Sequence, residues 1–232
     1  ALVTEEVEPS NLVPFSVTPD EVTAKKAADA RALQRKTDTA VTIEGVGDMI
    51  RKATDVLATD HACMVRLGLC LLMLTGRRMA EIMGDCSFEY VSDHCALFKG
   101  QLKTRGTERE AYPIPLLAPF RVIKAGLDAL RAKQSAQAPC DKVCERYHGA
   151  MSRELEKRFP AVGHIHLLRS MYVRCVFEKF KCECAFAGLC KAALGHQDLH
   201  ETLFYSSTHI RGYETDTGPR LCIVEGRVCV EE

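Results

Sequence analysis

At 232 residues and 47% apolar composition, the chain is long enough to bury a sizeable core, as one large domain or two small ones, which excludes disorder throughout. Basic and acidic residues balance at 31 each, and no apolar run reaches the roughly 20 residues that a membrane-crossing helix needs, since Arg66 breaks the best stretch, Ala62 to Thr75. No membrane partner is expected, and the opening ALVTEEVEPS, lacking the basic and apolar regions of a secretory signal, points to an intracellular protein.

Residues 1–41 read as an acidic arm and a linker helix: Pro9, Pro14 and Pro19 keep the first part extended, and Asp20 to Lys36 is rich in Ala, Lys and Arg. A compact domain, 42–212, then begins. Ile43, Val46, Ile50, Ala53 and Leu57 recur at helical spacing, and a more apolar, buried helix runs from His61 to Leu74. Gly76 ends that helix and sets Arg78 at the start of a short one, where backbone N–H groups favour an anion. From Cys86 the period shifts to alternation. SFEYV and HCALFK flank Ser92-Asp93 as a hairpin, and REAYPIPL forms a third strand beyond a turn at Thr104 to Glu108, with Pro113 and Pro115 confining it to an edge. Helices resume at Pro119–Lys133, Asp141–Phe159, His166–Lys181, Ala185–Leu194 and Asp198–Tyr205, the last capped by Asp198. The tail, 213–232, ends in LCIV-EG-RVCV, a pair of short strands. The fold class is therefore α+β, mainly helical, with a small antiparallel sheet.

Twelve cysteines is a high count, yet Cys63, Cys70 and Cys175 sit in apolar helical stretches where a reduced thiol acts as a small hydrophobe. Free thiols are expected. Cys140, Cys144, Cys182, Cys184 and Cys190 are spaced as C-x3-C and C-x-C-x5-C, which match no common zinc module, so neither metal nor cofactor is expected. The zero net charge hides an uneven distribution. Residues 1–24 contribute −5 and residues 213–232 contribute −3, leaving +8 between them, which suits a domain meeting a polyanion on one face.

That basic middle holds Arg78 in TGRRMAEI, Lys103 in FKGQLK, His166 and Arg169 in HIHLLRSMY, and His196 with Tyr205 nine residues later in LGHQDLHETLFY. Phosphodiester transfer without a metal needs a nucleophile, groups that neutralise the non-bridging oxygens, and an acid for the departing oxygen. Two guanidiniums match a phosphate bidentately. His166 and His196 can donate to the same oxygens or take the phenol proton. Lys103 suits the acid that protonates a 5′-hydroxyl, and Tyr205 suits attack on phosphorus. Each residue also has an ordinary reading: Arg78 paired with Glu81, His166 and Arg169 as a solvated helix edge, Lys99 and Lys103 as exposed charges, Tyr172 as core. Tyr213 is the alternative nucleophile, and Lys99 the alternative lysine.

In these motifs the sequence resembles the tyrosine recombinases, the DNA breaking-joining enzymes that include the phage integrases, from about Thr42 to His209. The resemblance implies that Arg78, Lys103, His166, Arg169 and His196 activate the scissile phosphate and that Tyr205 becomes linked to the 3′-phosphate. It implies double-stranded DNA as partner, a dimer or higher oligomer on it, and a place in the cytoplasm or nucleoid, or the nucleus of a eukaryotic host. Two motifs depart from the integrase pattern: T-G-Leu-Arg reads TGRR, and H-Asp-Leu-Arg-His reads HLLRS, with Leu167 and Ser170 at normally polar positions. FKGQLK followed by AYPIPLL, together with LRSMYVRCVFEKF, is more similar to the protelomerases, which reseal each cut end as a hairpin. The arm before Thr42 is too short for the N-terminal helical domain of such enzymes, which implies a catalytic fragment or a minimal enzyme that depends on a partner protomer. A recombinase, an inert DNA-binding module of the same fold, and a cysteine-rich metal-binding protein are the other expectations to be weighed.

Overall fold

The computed structural model describes residues 23–24, 40–102, 110–134, 140–196, 205–213 and 218–231. Its elements run β1 (Val41–Ile43), α1 (Val46–Thr59), α2 (Met64–Thr75), α3 (Met79–Ile82), β2 (Ser87–Ser92), β3 (Cys95–Lys99), β4 (Tyr112–Pro115), α4 (Phe120–Lys133), α5 (Cys140–Arg158), α6 (Ile165–Lys179), β5 (Lys181–Cys182), α7 (Phe186–Leu194), β6 (Thr208–Ile210), β7 (Arg220–Val224) and β8 (Arg227–Glu231). The architecture is mainly helical with small sheets. Most of the N-terminal linker helix and of the Asp198–Tyr205 helix expected from the sequence lie outside the described residues.

The centre of the molecule is α2, in which every residue from Leu67 to Thr75 is buried. A helix apolar all round must be covered all round, and α1, α4, α5 and α6 pack against it. Gly76 stops it. There the chain turns left-handed at φ 65°, and its N–H donates to Leu72 O at 2.9 Å. A Cβ at this position would lie 2.1 Å from Cδ1 of the buried Tyr172. Gly76→Ala is therefore expected to lower stability by about 2–4 kcal/mol in urea denaturation, from the left-handed backbone and the displaced ring together.

Strands β2, β3 and β4 form an antiparallel sheet in that order, with a two-residue turn between Ser92 and Cys95. Pro113 and Pro115 fall on the edge strand β4, where a missing N–H costs no ladder bond. The C-terminal hairpin β7–β8 turns through Glu225 and Gly226, both at positive φ, as a two-residue turn matched to strand twist requires. It pairs within its own chain, β7 running parallel to β5, and β8 packs against β4 and α7.

Some segments differ from the sequence expectation, among them β1 and the end of α6. Thr42 does not open a helix: Val41–Ile43 is a strand, paired in parallel with Thr208–Ile210, and the helix starts at Val46. α6 ends at Lys179 rather than Lys181, because Lys181 and Cys182 extend to pair with Arg220 and Leu221. Among the described side chains, ten cysteines are free.

Candidate active site

Beyond Gly76 the chain is extended through Arg78, which caps α3. The backbone N–H of Arg78 donates to Glu81 Oε2 at 2.8 Å, and its Nη1 donates to Oε1 at 2.9 Å. The ion pair with Glu81 thus exists, and it is part of the site. Glu81 is 1% exposed. Burial raises its carboxyl, but Arg169, Arg77 and Arg78 outweigh that and hold it below the usual carboxylate range. Three guanidiniums around one carboxylate leave the hollow positive, as an anion site requires.

Arg169 enters from the second turn of α6. It is 7% exposed, and its two terminal nitrogens donate to backbone carbonyls, Nη1 to Gly76 O at 2.5 Å and Nη2 to Leu194 O at 2.8 Å. Those bonds fix the plane of the fork. The remaining nitrogen, Nε, donates to Tyr205 Oη at 3.2 Å. Of five N–H groups three are so engaged, which leaves one on each Nη to meet a phosphate oxygen. Leu194 closes α7, and Gly76 closes α2, so Arg169 ties together the ends of the two helices that lead into His196 and Arg78.

His196 follows the left-handed Gly195, whose φ is 65°. Its ring is 6% exposed and lies 5.3 Å, centroid to centroid, from that of Tyr205. Burial, and then Arg169, Arg78 and Arg77, push the imidazole down to about 3, so it is uncharged at neutral pH. A histidine depressed in the folded state contributes stability that is complete above its unfolded value of about 6.5 and is lost as pH falls towards the folded one. The unfolding free energy of the unsubstituted chain, from urea denaturation, should fall by about 1–2 kcal/mol between pH 6.5 and pH 5, and His196→Gln should flatten that slope.

The site thus brings together Arg78, Arg169, His196 and Tyr205. Lys103 lies outside the described residues, but the segment leading to it is docked here: Leu102 N–H donates to Glu81 Oε1 at 3.2 Å, and Gln101 Nε2 donates to Gly195 O at 2.7 Å. His166 is exposed in the first turn of α6, one turn before Arg169 on the same helix face, with its ring 6.4 Å from that of His164. Tyr172, read as core, and Tyr213, the alternative nucleophile, are engaged elsewhere. Tyr172 is fully buried and donates to Pro115 O at 2.7 Å. Tyr213 packs against the core, and burial raises its phenol.

A family model described as the telomere resolvase ResT/TelK catalytic domain matches residues 40–207, well over half of the chain. The chain belongs to this family. Three solved structures share the fold. A selenomethionine protelomerase TelA covalently complexed with substrate DNA is 22% identical, with a TM-score of 0.71 over 83% of this chain and 67% of that one. A TelA variant complexed with a DNA hairpin product is 20% identical, with a TM-score of 0.74 over 83% of this chain and 67% of that one. Protelomerase TelK complexed with substrate DNA is 20% identical, with a TM-score of 0.67 over 87% of this chain but only 44% of that one. No curated protein matches the sequence.

Two arginines of this telomere resolvase domain carry structure that its motifs did not announce. Arg77, the residue that makes TGRR depart from the integrase pattern, is 2% exposed. It donates to Thr75 O at 3.1 Å, to Tyr112 Oη at 2.6 Å and to Ala193 O at 2.5 Å. Its guanidinium stands 4.9 Å from the Phe98 ring centroid. Arg77 therefore joins the turn that bears Arg78 to β3, β4 and the last turn before His196. The second, Arg174, grips the chain beside Tyr205. In sequence it is one more cation on a helix, and only its place five residues after Arg169 could have drawn notice.

Proposed function

We propose that this chain cuts and rejoins duplex DNA through a 3′-phosphotyrosine, resolving an inverted-repeat site into hairpin ends. The observation that carries the reading is the Arg169 Nε–Tyr205 Oη hydrogen bond of 3.2 Å, inside a hollow that also holds Arg78 and His196. Family membership supports it, as do the covalent DNA complex and the hairpin-product complex of the TelA structures. The phenol oxygen attacks phosphorus, and Arg169 meets the charge that grows on it as the proton leaves. His166, one turn before Arg169 on α6, takes that proton. Arg78, Arg169 and the neutral His196 hold the non-bridging oxygens, whose developing charge is the largest barrier to be lowered. The P–O5′ bond breaks, and Lys103 gives the 5′-hydroxyl its proton.

One phosphodiester is exchanged for another at every step, so the bond energy is kept and neither ATP nor a metal is called for. Attack by a 5′-hydroxyl of the opposite strand reverses the chemistry and closes the hairpin. A two-fold site cut on both strands calls for two protomers on the DNA. The test is a palindromic duplex incubated with the chain and run under denaturing conditions. A covalent adduct that resolves into closed hairpin ends is the expected result. Exchanged partners would make the chain a recombinase, and steeply salt-dependent binding with no adduct would make it an inert DNA-binding module.

A further inference from the structure

Arg174 lies on the same helix as Arg169 and faces the turn that carries Tyr205. Its Nε donates to Thr208 O at 2.8 Å and its Nη2 to Ser206 O at 2.9 Å. The guanidinium rests 3.9 Å from the Phe186 ring centroid, and Phe186 is in turn edge-on to Phe177 at 5.4 Å. A planar fork held against an aromatic face has little freedom left, so the two carbonyls it binds share its rigidity. Those carbonyls belong to the first and third residues after Tyr205. From the other side, Val41 N–H donates to Ser207 O at 2.9 Å, so three consecutive carbonyls are gripped.

We infer that Arg174 is a positioning residue for the nucleophile: by holding the Ser206 and Thr208 carbonyls it fixes where the Tyr205 oxygen stands relative to Arg169. One helix then carries both the group that meets the phenol oxygen and the group that fixes the backbone bearing it. The distance between nucleophile and activated phosphate is set by five residues of α6. Displacing a reacting atom by about 1 Å costs roughly 10²-fold in rate, and that is the size of effect expected from releasing the turn.

This inference rests on the proposed reaction, and the test separates the two. Arg174→Ala is compared with the unsubstituted chain for adduct formation and DNA affinity, and again in a Tyr205→Phe background with hydrogen peroxide as the attacking nucleophile. Peroxide needs the activated phosphate but not the tyrosine. Expected is a roughly 10²-fold slower adduct at DNA affinity within about twofold, with peroxide-driven cleavage within about threefold of that of Tyr205→Phe alone. Arg174→Lys keeps the cation over Phe186 and can reach one carbonyl, so its adduct rate should fall between the two, which also provides the comparison should the alanine variant fold poorly. An unchanged adduct rate, or an equal loss with peroxide, overturns the positioning role. Absence of any adduct from the unsubstituted chain would instead overturn the reaction on which it rests.

Discussion

Replacing Tyr205 with phenylalanine is expected to abolish the covalent DNA adduct while leaving duplex affinity within about twofold. The change deletes one oxygen atom from a half-buried ring that packs beside His196 and against the core, so the fold loses one hydrogen bond, the 3.2 Å contact with Arg169. Arg169 keeps both backbone carbonyls and does not move. Removing a covalent nucleophile from an otherwise intact site lowers turnover by roughly 10⁴-fold or more. Tyr213→Phe is the control. That phenol is raised by burial beside the core, and its loss should leave the adduct unaltered. The measurement is the fraction of labelled DNA strand retained with protein after denaturation, and an adduct that survives Tyr205→Phe removes the assignment.

Substituting Arg169 should separate catalysis from folding. Arg169→Lys keeps the charge but not the fork, so one ammonium must serve Gly76 O, Leu194 O, the Tyr205 oxygen and a phosphate at once. Losing a preorganised donor to a developing oxyanion costs about 10²–10³-fold in rate, and that is the expected drop in adduct formation. Arg169→Ala goes further, leaving two buried carbonyls without their donor, at about 1–3 kcal/mol each. It also removes the link between the ends of α2 and α7. Its expected signature is a lower denaturation midpoint together with lost activity, whereas the lysine variant loses activity with a smaller change in midpoint. Equal loss of stability in both would mean that the fork is needed only to hold the helices.

Local pattern made α1, α2, α4 to α7 and the main sheet legible. The continuous apolar run after Leu67 marked α2 as central, Gly76 marked its end, and the prolines of β4 marked a sheet edge. What stayed hidden were pairings between distant, very short segments. β1 and β6 are three residues each, too short for an alternation to register, and they exist because each supplies the other's hydrogen bonds. β5 was absorbed into the preceding helix for the same reason: its two residues pair only because β7 lies beside them. In the site, four residues named from motif order do gather, since Arg169, from the second turn of α6, bonds the carbonyls that close α2 and α7 and the Tyr205 oxygen. Arg77 was legible only as a departure from a pattern. Nothing in TGRR distinguishes a guanidinium that enters the core from one that faces solvent, because Phe98, Tyr112 and the Ala193 carbonyl that receive it are remote in sequence.

The parallel pair β1–β6 follows directly on the nucleophile, joining Val41 to Thr208 and Ile43 to Ile210. In the proposed reaction, a DNA end esterified to Tyr205 would be anchored to a backbone that this ribbon holds through its ladder bonds. A strand end leashed in this way would explore little space before rejoining, which would favour religation over escape.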